Sequence, residues 1–213
     1  MQEMDKKRNR LMQESIIKSL AQRNIEAYFA DTKEEALKIA IDIIPKGAKV
    51  GNGGVESAKE IGLIDALKEG DYVYIDRNGA KDADEKKAKE HEILADCDYF
   101  ISSVNGMSEN GVLVNIDGIG NRVAATIYGP DHVLFIVGMN KVVHSEQDAY
   151  DRAKYFAAPV NAQRFGLSTP CGITGKCADC IMEQCICAQI VITRYSKVKG
   201  RMKLILVNDD LGF

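Results

Sequence analysis

The segment Val133-Leu134-Phe135-Ile136-Val137 most constrains the fold, because it is an unbroken apolar run that ends at a glycine. A strand has this composition when both faces of its sheet are covered, as they are in parallel sheets. The chain around it alternates short strand patterns with helical patterns, which indicates strands joined by helical crossovers. The sequence therefore predicts an α/β protein built on a parallel sheet.

The strand and helix patterns cover almost the whole chain. Apolar residues at helical spacing predict helices over residues 5–23, 36–43, 57–67 and 81–95, and a long helix from Ser145 onward. Strands are predicted at residues 25–30, 48–50, 72–75, 99–104, 112–116, 133–137, 189–194 and 202–207. We expect residues 1–24 to form an N-terminal helix and residues 25–213 to form one α/β domain, which includes a cysteine-rich loop at residues 169–188.

Charge and hydropathy exclude two classes of partner. Lysine and arginine number 28 against 31 aspartates and glutamates, so the formal net charge is −3, and there is no long basic run to attract nucleic acid. No apolar run approaches the ~20 residues that a membrane-spanning helix needs, and the charged first ten residues lead into no signal-peptide core. We therefore predict a cytoplasmic protein with neither nucleic acid nor a membrane as partner.

Five of the six cysteines fall between Cys171 and Cys187. Cys177 and Cys180 have the spacing that lets two thiolates reach one metal ion, and four such soft ligands suit zinc or an iron–sulfur cluster. A disulfide or thiol-redox role and inert structural cysteines are the alternatives. A reducing compartment makes structural disulfides rare, so the cluster favours a metal site.

A glycine-rich segment, Gly51-Asn52-Gly53-Gly54, lies between a predicted strand and a predicted helix. Glycines at such a place can bring backbone amides close to an anion. The segment matches neither the dinucleotide-binding fingerprint nor the P-loop, and a tight turn is the plainer interpretation. The glycine-rich segment is therefore a candidate anion-binding loop only if polar side chains from other segments lie beside it.

Those polar residues follow the next predicted strands. Glu109 could act as a nucleophile, a general base or a ligand anchor, whereas an exposed loop glutamate is the alternative. Arg122 can hold a carboxylate or phosphate through two hydrogen bonds, although pairing with Asp117 would serve structure alone. The sequence thus predicts an organic-anion site with Glu109 as catalytic residue and these ligand-binding residues: Gly51, Asn52, Gly53, Gly54, Asn110, Asp117, Asn121 and Arg122.

Several segments in the same order resemble the LUD-domain (lactate utilisation protein) family in its short bacterial form. They are residues 50–54, 114–118, 120–125, 128–130, 138–143 and 169–187. The resemblance implies a Rossmann-like three-layer α/β sandwich of the sugar-phosphate isomerase and CoA-transferase superfamily. It also implies a role in bacterial oxidation of lactate to pyruvate, with a small organic anion such as lactate as ligand and iron–sulfur redox proteins as candidate partners.

The same resemblance selects four of the clustered cysteines as metal ligands. In the pattern C-x5-C-x2-C-x6-C they are Cys171, Cys177, Cys180 and Cys187, which leaves Cys185 and Cys97 without an assigned role. Because the pathway resembles an electron-transfer system, an iron–sulfur cluster is favoured over zinc.

A second resemblance leaves the activity open. The segment Ser108-Glu109-Asn110-Gly111 is similar to the Ser-Glu-Asn-Gly motif of CoA-transferases, whose glutamate attacks an acyl-CoA to form a thioester. Those enzymes pair two such domains, so a transferase would need a partner subunit or a dimer. Three interpretations remain: an anion-binding LUD-type protein with a metal centre, a CoA-transferase-like enzyme, and a noncatalytic metal-stabilised subunit.

Overall fold

Strands and helices alternate along the computed structural model, which describes residues 1–213. The strands are β1 (Glu26–Ala30), β2 (Lys49–Asn52), β3 (Val73–Tyr74), β4 (Tyr99–Ser102), β5 (Gly106–Ser108), β6 (Leu113–Asp117), β7 (His132–Gly138), β8 (Val142–Val143), β9 (Gln189–Thr193) and β10 (Met202–Val207). The α-helices are α1 (Glu3–Gln22), α2 (Lys33–Ile43), α3 (Glu56–Glu60), α4 (Leu63–Glu69), α5 (Ala83–Asp96), α6 (Asn121–Tyr128), α7 (Glu146–Asp151), α8 (Ala158–Gln163) and α9 (Pro170–Thr174).

Six strands form one parallel sheet in the order β1, β10, β7, β4, β2, β3. The apolar run of β7 lies inside this sheet and is fully buried. Leu134 and Ile136 pack into the core on one face, and Val133, Phe135 and Val137 pack into the core on the other. This division follows from the alternation of side chains along a strand. The predicted α/β class is confirmed.

Helices cover both faces of the parallel sheet. On one face, α2 and α4 contribute Ala36 and Leu67 to the core, and on the other, α1 and α5 contribute Leu20 and Ile93. Burial of a side chain the size of Leu20 stabilises a fold by ~1.5–3 kcal/mol, so the N-terminal helix is an integral part of this core. The result is the Rossmann-like three-layer sandwich that the sequence predicts.

A second, smaller sheet has the order β8, β5, β6, β9. β6 pairs antiparallel with both β5 and β9, and β5 pairs parallel with β8. Its core contains Val114 and Ile116 of β6, which pack with Ala149 and Ala153. The strands predicted at residues 112–116 and 189–194 therefore exist but do not join the parallel sheet, and β5 was not predicted.

Two predicted helices differ in detail from the structure. The helix predicted over residues 57–67 is divided into α3 and α4, because Gly62 adopts a left-handed conformation with φ of 78° between them. The helix predicted from Ser145 consists of α7, a π-helical segment Arg152–Ala157, and α8, and Pro159 lies in the first turn of α8. Proline is tolerated there because the first turn needs no N–H donor.

The longest helix, α1, has 20 residues and is rich in charged side chains. None of the helices combines the length and the apolar character that crossing a membrane requires.

Candidate functional site

A cavity of about 930 Å³ opens at the carboxyl edge of the parallel sheet. Gly53 follows β2 and Ser103 follows β4, while Arg122 lies in the first turn of α6. The crevice outside the carboxyl ends of the strands is where open α/β sheets bind their ligands. This cavity is therefore the candidate functional site.

The side chain of Arg122 forms one wall of the cavity and is only 13% exposed. Its Nε lies 3.3 Å from Asp117 Oδ2, and its Nη2 donates to Asn105 Oδ1 at 3.0 Å and to the carbonyl oxygen of Ile116. Burial lowers the pKa of this guanidinium, although Asp117 opposes the shift. These contacts fix the guanidinium and leave its Nη1 without a protein acceptor.

Gly53 makes room for the Arg122 side chain. A Cβ added to Gly53 would lie 2.9 Å from Cγ and 3.0 Å from Cδ of Arg122, closer than side-chain atoms normally approach. A Cβ added to Gly54 would meet nothing closer than Arg77 Nη2 at 3.8 Å. Gly53 is therefore required for packing, whereas Gly54 is not.

A second ion pair closes another side of the cavity. Arg77 Nη1 lies 2.7 Å from Glu90 Oε1, and the side-chain amide of Asn121 donates to the same oxygen at 2.8 Å. Nε of Arg77 is buried and has no hydrogen-bond partner. A buried donor without an acceptor destabilises the fold, so a ligand atom that accepted a hydrogen bond from this Nε would be favourable.

Lys141 reaches the cavity from the short 3₁₀ helix Met139–Lys141 that follows β7. The residue is 3% exposed, and its Nζ donates to Ser57 Oγ at 3.0 Å and to Ser103 Oγ at 3.1 Å. No carboxylate forms an ion pair with it. Its pKa falls to about 7 because burial disfavours the charged form and because Arg152 and Arg122 add like charge.

Arg152 is a second cation without an acidic partner, and it is partly buried. Its guanidinium donates to the carbonyl oxygen of Asn140 at 3.1 Å and to the carbonyl oxygen of Asn105. Burial lowers its pKa to about 10. The region around the cavity therefore has an excess of positive charge that no side chain neutralises.

The predicted ligand-binding residues divide into two groups. Gly53, Gly54, Asp117, Asn121 and Arg122 line the cavity, as predicted for an anion site at the sheet edge. The others support the fold or lie apart from the cavity: Gly51, Asn52 and Asn110.

Gly51 and Asn52 belong to β2 and act in packing. A Cβ on Gly51 would lie 2.6 Å from Cγ1 of Ile93, so this glycine allows α5 to approach the sheet. The Asn52 side chain is buried, donates to the carbonyl oxygen of Gly53 at 2.6 Å, and accepts from the hydroxyl of Tyr74. Asn52 thus holds the start of the glycine turn without facing a ligand.

Glu109 does not line the cavity. Its carboxylate lies 3.8 Å from Nη2 of Arg8 and 3.5 Å from Nδ1 of His144, and its side chain is 33% exposed. The next residue, Asn110, accepts from Ser108 Oγ and from Arg23 Nε. The structure therefore does not bring Glu109 and Arg122 into one pocket, contrary to the expectation from the sequence.

Sequence reasoning did not identify Lys141, Ser57 or Ser103 as site residues. Lys141 appeared only within the segment that supports the family resemblance. A lysine four residues after the apolar run of a central strand was the available signal, because the end of a buried parallel strand places the residues that follow near the ligand-binding edge.

The cysteine loop holds its thiols in the reduced form, and none is paired in a disulfide. Cys185 Sγ lies 3.3 Å from Cys187 Sγ, and burial together with Cys185 raises the pKa of Cys187 to about 12. Burial and the neighbouring thiols of Cys185, Cys171 and Cys177 likewise raise the pKa of Cys180. The sulfurs are thus close enough to influence one another, which suits a shared cation.

The thiols of the cysteine loop do not form a coordination sphere in this structure. No group of three or more His, Cys, Asp or Glu side chains has a geometry that could hold a metal ion. The donor set fits a soft metal in its chemistry, since four or five thiols come from one short loop. Cys97 does not belong to the cysteine loop; it is buried, and its Sγ would lie 3.1 Å from a Cβ added to Gly51.

The cysteine loop contacts the cavity directly. Ile186 belongs to the cavity wall, and a Cβ added to Gly118 would lie 3.5 Å from Cα of Ile186 and 3.7 Å from the carbonyl oxygen of Cys185. An ion pair of 2.6 Å between Lys154 Nζ and Asp179 Oδ1 ties the loop to the π-helical segment. The loop and the cavity are therefore neighbouring parts of one region.

The six-stranded parallel sheet between two helical layers, with a polar cavity at its carboxyl edge, defines a Rossmann-like α/β protein with a candidate ligand site. The model of the LUD domain family matches residues 13–207. The chain therefore belongs to the LUD-domain family.

One solved structure supports the fold assignment. A DUF162 family protein from Deinococcus radiodurans superposes with a TM-score of 0.52 and 12% sequence identity, over 93% of this chain and 96% of that chain. At this identity the likeness shows the fold alone. None of the curated proteins gives a significant match to the chain.

Proposed function

We propose that the cavity binds a small organic anion and that the protein acts in organic-acid utilisation, with lactate as the first ligand to test. The observation that carries this proposal is a pair of basic groups without acidic partners: Lys141 donates only to hydroxyl groups, and Arg152 donates only to carbonyl oxygens. Buried charges are unfavourable unless they are paired, so an anion in the cavity would relieve this imbalance.

Arg122 supplies the geometry for a carboxylate. Its contacts with Asp117 and Asn105 fix the plane of the guanidinium at the cavity wall, and its Nη1 remains available. A charge-assisted hydrogen bond from a fixed arginine is stronger than one between neutral groups and also orients the ligand. Arg122 would thus select for a carboxylate, and Lys141 would add charge from the floor of the cavity.

The cavity volume has room for more than lactate. Cavities of ~300–1,000 Å³ are typical of sites for drug-sized ligands, and this one, at about 930 Å³, is near the upper end. A three-carbon acid would leave space for water, for a longer acyl chain or for a second reactant. Larger organic acids therefore belong in the same test.

For the cysteine loop we propose a metal centre held by Cys171, Cys177, Cys180 and Cys187. The family resemblance favours an iron–sulfur cluster over zinc, and a cluster would supply one-electron transfer. Iron–sulfur redox proteins are then the expected partners. Cys185 competes for a ligand position because its sulfur lies 3.3 Å from that of Cys187.

The alternative in which Glu109 is the nucleophile of a CoA-transferase-like enzyme stays a prediction. Glu109 pairs with Arg8 and His144 outside the cavity, so a transferase site would have to form there, with a partner subunit or a second copy. Covalent labelling of Glu109 by an acyl-CoA, lost in Glu109→Gln, would support it. The expected cytoplasmic location rests on the sequence.

The proposal is tested on protein purified without oxygen. Calorimetric titration with L-lactate and a series of longer 2-hydroxy acids should give saturable binding that Arg122→Ala weakens, while Arg8→Ala, which lies outside the cavity, leaves it unchanged. Metal analysis and a visible absorption spectrum of the same sample should show a stoichiometric metal. Equal weak binding of all acids by wild type and Arg122→Ala would contradict the anion site.

A further inference from the structure

Lys141 has the surroundings of a reactive amine rather than those of a structural cation. Its Nζ lies between two hydroxyl groups, Ser57 Oγ at 3.0 Å and Ser103 Oγ at 3.1 Å, which lie 3.3 Å apart. A structural buried lysine normally pairs with a carboxylate, because otherwise its desolvated charge destabilises the fold. The absence of such a pair requires another explanation.

The charged groups that act on Lys141 come from three elements. Arg152 in the π-helical segment and Arg122 in α6 both disfavour its protonation, and Glu60 at the end of α3 is the acidic group that favours it. Burial acts in the same direction as the two arginines. Desolvation and neighbouring cations are the two means by which proteins make a lysine amine nucleophilic.

The cavity offers a place for the electrophile. Lys141, Ser103 and Arg122 all line it, so a ligand whose carboxylate meets Arg122 lies in the same cavity as the amine. Gly212 also lines the cavity beside the amine, and a Cβ added there would lie 3.3 Å from Nζ and 3.1 Å from Ser57 Oγ. A small ligand with both a carboxylate and a carbonyl group would match this pair of residues.

We propose that Lys141 forms an imine with the carbonyl carbon of a small oxo acid bound in the cavity, an inference that rests on the proposed anion-binding function. The amine nitrogen attacks the carbonyl carbon and forms a C–N bond, while the electron pair of the C=O π bond moves to oxygen. Nitrogen gives up its two hydrogens, the former carbonyl oxygen takes them and leaves as water, and a C=N bond remains.

Ser57 and Ser103 assist this step as positioning residues. Each hydroxyl accepts a hydrogen bond from the amine and so fixes the position of the nitrogen, and Ser103 also lines the cavity. The neutral amine is the attacking form, and it is well populated near neutral pH because the pKa of Lys141 is about 7. A lysine with an unshifted pKa would be almost wholly protonated there.

The experiment traps the imine by reduction. Wild-type protein is incubated with pyruvate and cyanoborohydride at about pH 7.5, where an ordinary lysine is protonated, and the modified lysines are located by peptide mass mapping. The matched control is Lys59, which lines the same cavity but pairs with Glu56 at 2.9 Å. We expect at least about tenfold more reduced adduct on Lys141 than on Lys59, because burial favours the neutral, nucleophilic form of the Lys141 amine.

Two further arms separate this inference from the proposed function. Lactate has the carboxylate but no keto group, so it should lower the adduct yield by competition and form no adduct itself. Lys141→Arg should abolish the adduct at this position, and Lys59→Arg should not change it. Mapping on the wild type does not depend on whether the variants fold.

The outcomes are distinguishable. Calorimetric binding of lactate and pyruvate without any adduct on Lys141 would overturn the imine and leave the anion site intact. Adduct spread evenly over Lys59, Lys141 and surface lysines would also overturn it. If neither acid binds and no adduct forms, the proposed function fails and this inference fails with it.

Discussion

The side chain of Arg122 occupies the space that Gly53 leaves empty: a Cβ at position 53 would lie 2.9 Å from Arg122 Cγ. This relationship joins the turn after β2 to the first turn of α6, two elements that meet at the cavity. Arg122 is then held from the other side by Asp117 at 3.3 Å. The orientation of the candidate anion-binding arginine therefore depends on a glycine.

Gly53→Ala should displace Arg122. The added methyl group overlaps the arginine side chain, and overpacking of this kind destabilises a fold by ~1–3 kcal/mol. We expect a lower free energy of unfolding in urea and weaker lactate binding by calorimetry. Gly54→Ala is the control, because its methyl group would have no neighbour closer than 3.8 Å. Equal effects of the two substitutions would show that Gly53 is not needed for packing.

Arg122→Ala should weaken binding of a carboxylate ligand by ~1.5–3 kcal/mol, the usual loss when a hydrogen bond to a charged group is removed. Calorimetric titration with lactate measures this loss. Arg122→Lys should restore only part of it, since a lysine keeps the charge but cannot reproduce the three contacts with Asp117, Asn105 and Ile116. Full affinity in both variants would show that this residue does not contact the ligand.

Lys141→Met should change how stability depends on pH. The pKa of Lys141 is about 7 in the folded protein against an ordinary value of 10.5, so between these values the unfolded chain binds more protons at this residue. The free energy of unfolding of the wild type therefore rises with pH relative to the variant, by up to about 1.4 kcal/mol per pH unit.

Urea unfolding of both proteins at about pH 7, 8 and 9 measures this difference, because the unchanged groups cancel between them. Lys59→Met serves as the control, since Lys59 is exposed and pairs with Glu56 at the surface. Parallel curves for wild type and Lys141→Met would show that Lys141 is protonated in the folded protein throughout this range.

Cys180→Ser should remove most of the bound metal, because a hydroxyl is a poor ligand for a soft metal and three thiolates hold it weakly. Metal analysis of anaerobically purified protein is the measurement. Cys97→Ala should retain the metal, as Cys97 is buried away from the loop. Metal-free wild-type protein whose loop thiols are all freely alkylated would refute the centre.

Cys185→Ser and Cys187→Ser distinguish the fourth ligand. The proposed set predicts that only Cys187→Ser loses metal. Since the two sulfurs are 3.3 Å apart, the opposite result would mean that Cys185 replaces Cys187 without a large movement of the loop.

The sequence carried enough information for the parallel sheet and not for the second sheet. The apolar run of β7 is typical of a strand whose sheet is covered on both faces, and β7 does lie inside the parallel sheet. Residues 112–116 are almost all apolar and are buried, so their sequence resembles that of a strand in the parallel sheet. The pairing of β6 with β9 joins residues far apart in sequence. The hydrophobic periodicity of a segment indicates its own secondary structure but not the strand with which it pairs.

The candidate site was likewise predictable in part. Arg122 and Asp117 were selected because they follow a strand pattern and can bind or pair with charged groups, and both line the cavity, although the strand before them, β6, belongs to the second sheet. Glu109 lies outside the cavity because the preceding strand, β5, belongs to the second sheet and places its carboxylate beside Arg8 and His144. Lys141 was missed because its significance depends on burial without a carboxylate, and only packing reveals that.

The backbone of Cys185 and Ile186 lies close to Gly118, and Ile186 lines the cavity, so the cysteine loop forms part of the cavity wall. A metal that fixed the conformation of the cysteine loop would change the shape of the cavity and therefore its affinity for an anion. An anion that bound only to that cavity shape would in turn stabilise the same loop conformation. If the loop binds a metal and the cavity binds an anion, thermodynamic linkage requires that the factor by which the metal changes anion affinity equal the factor by which the anion changes metal affinity.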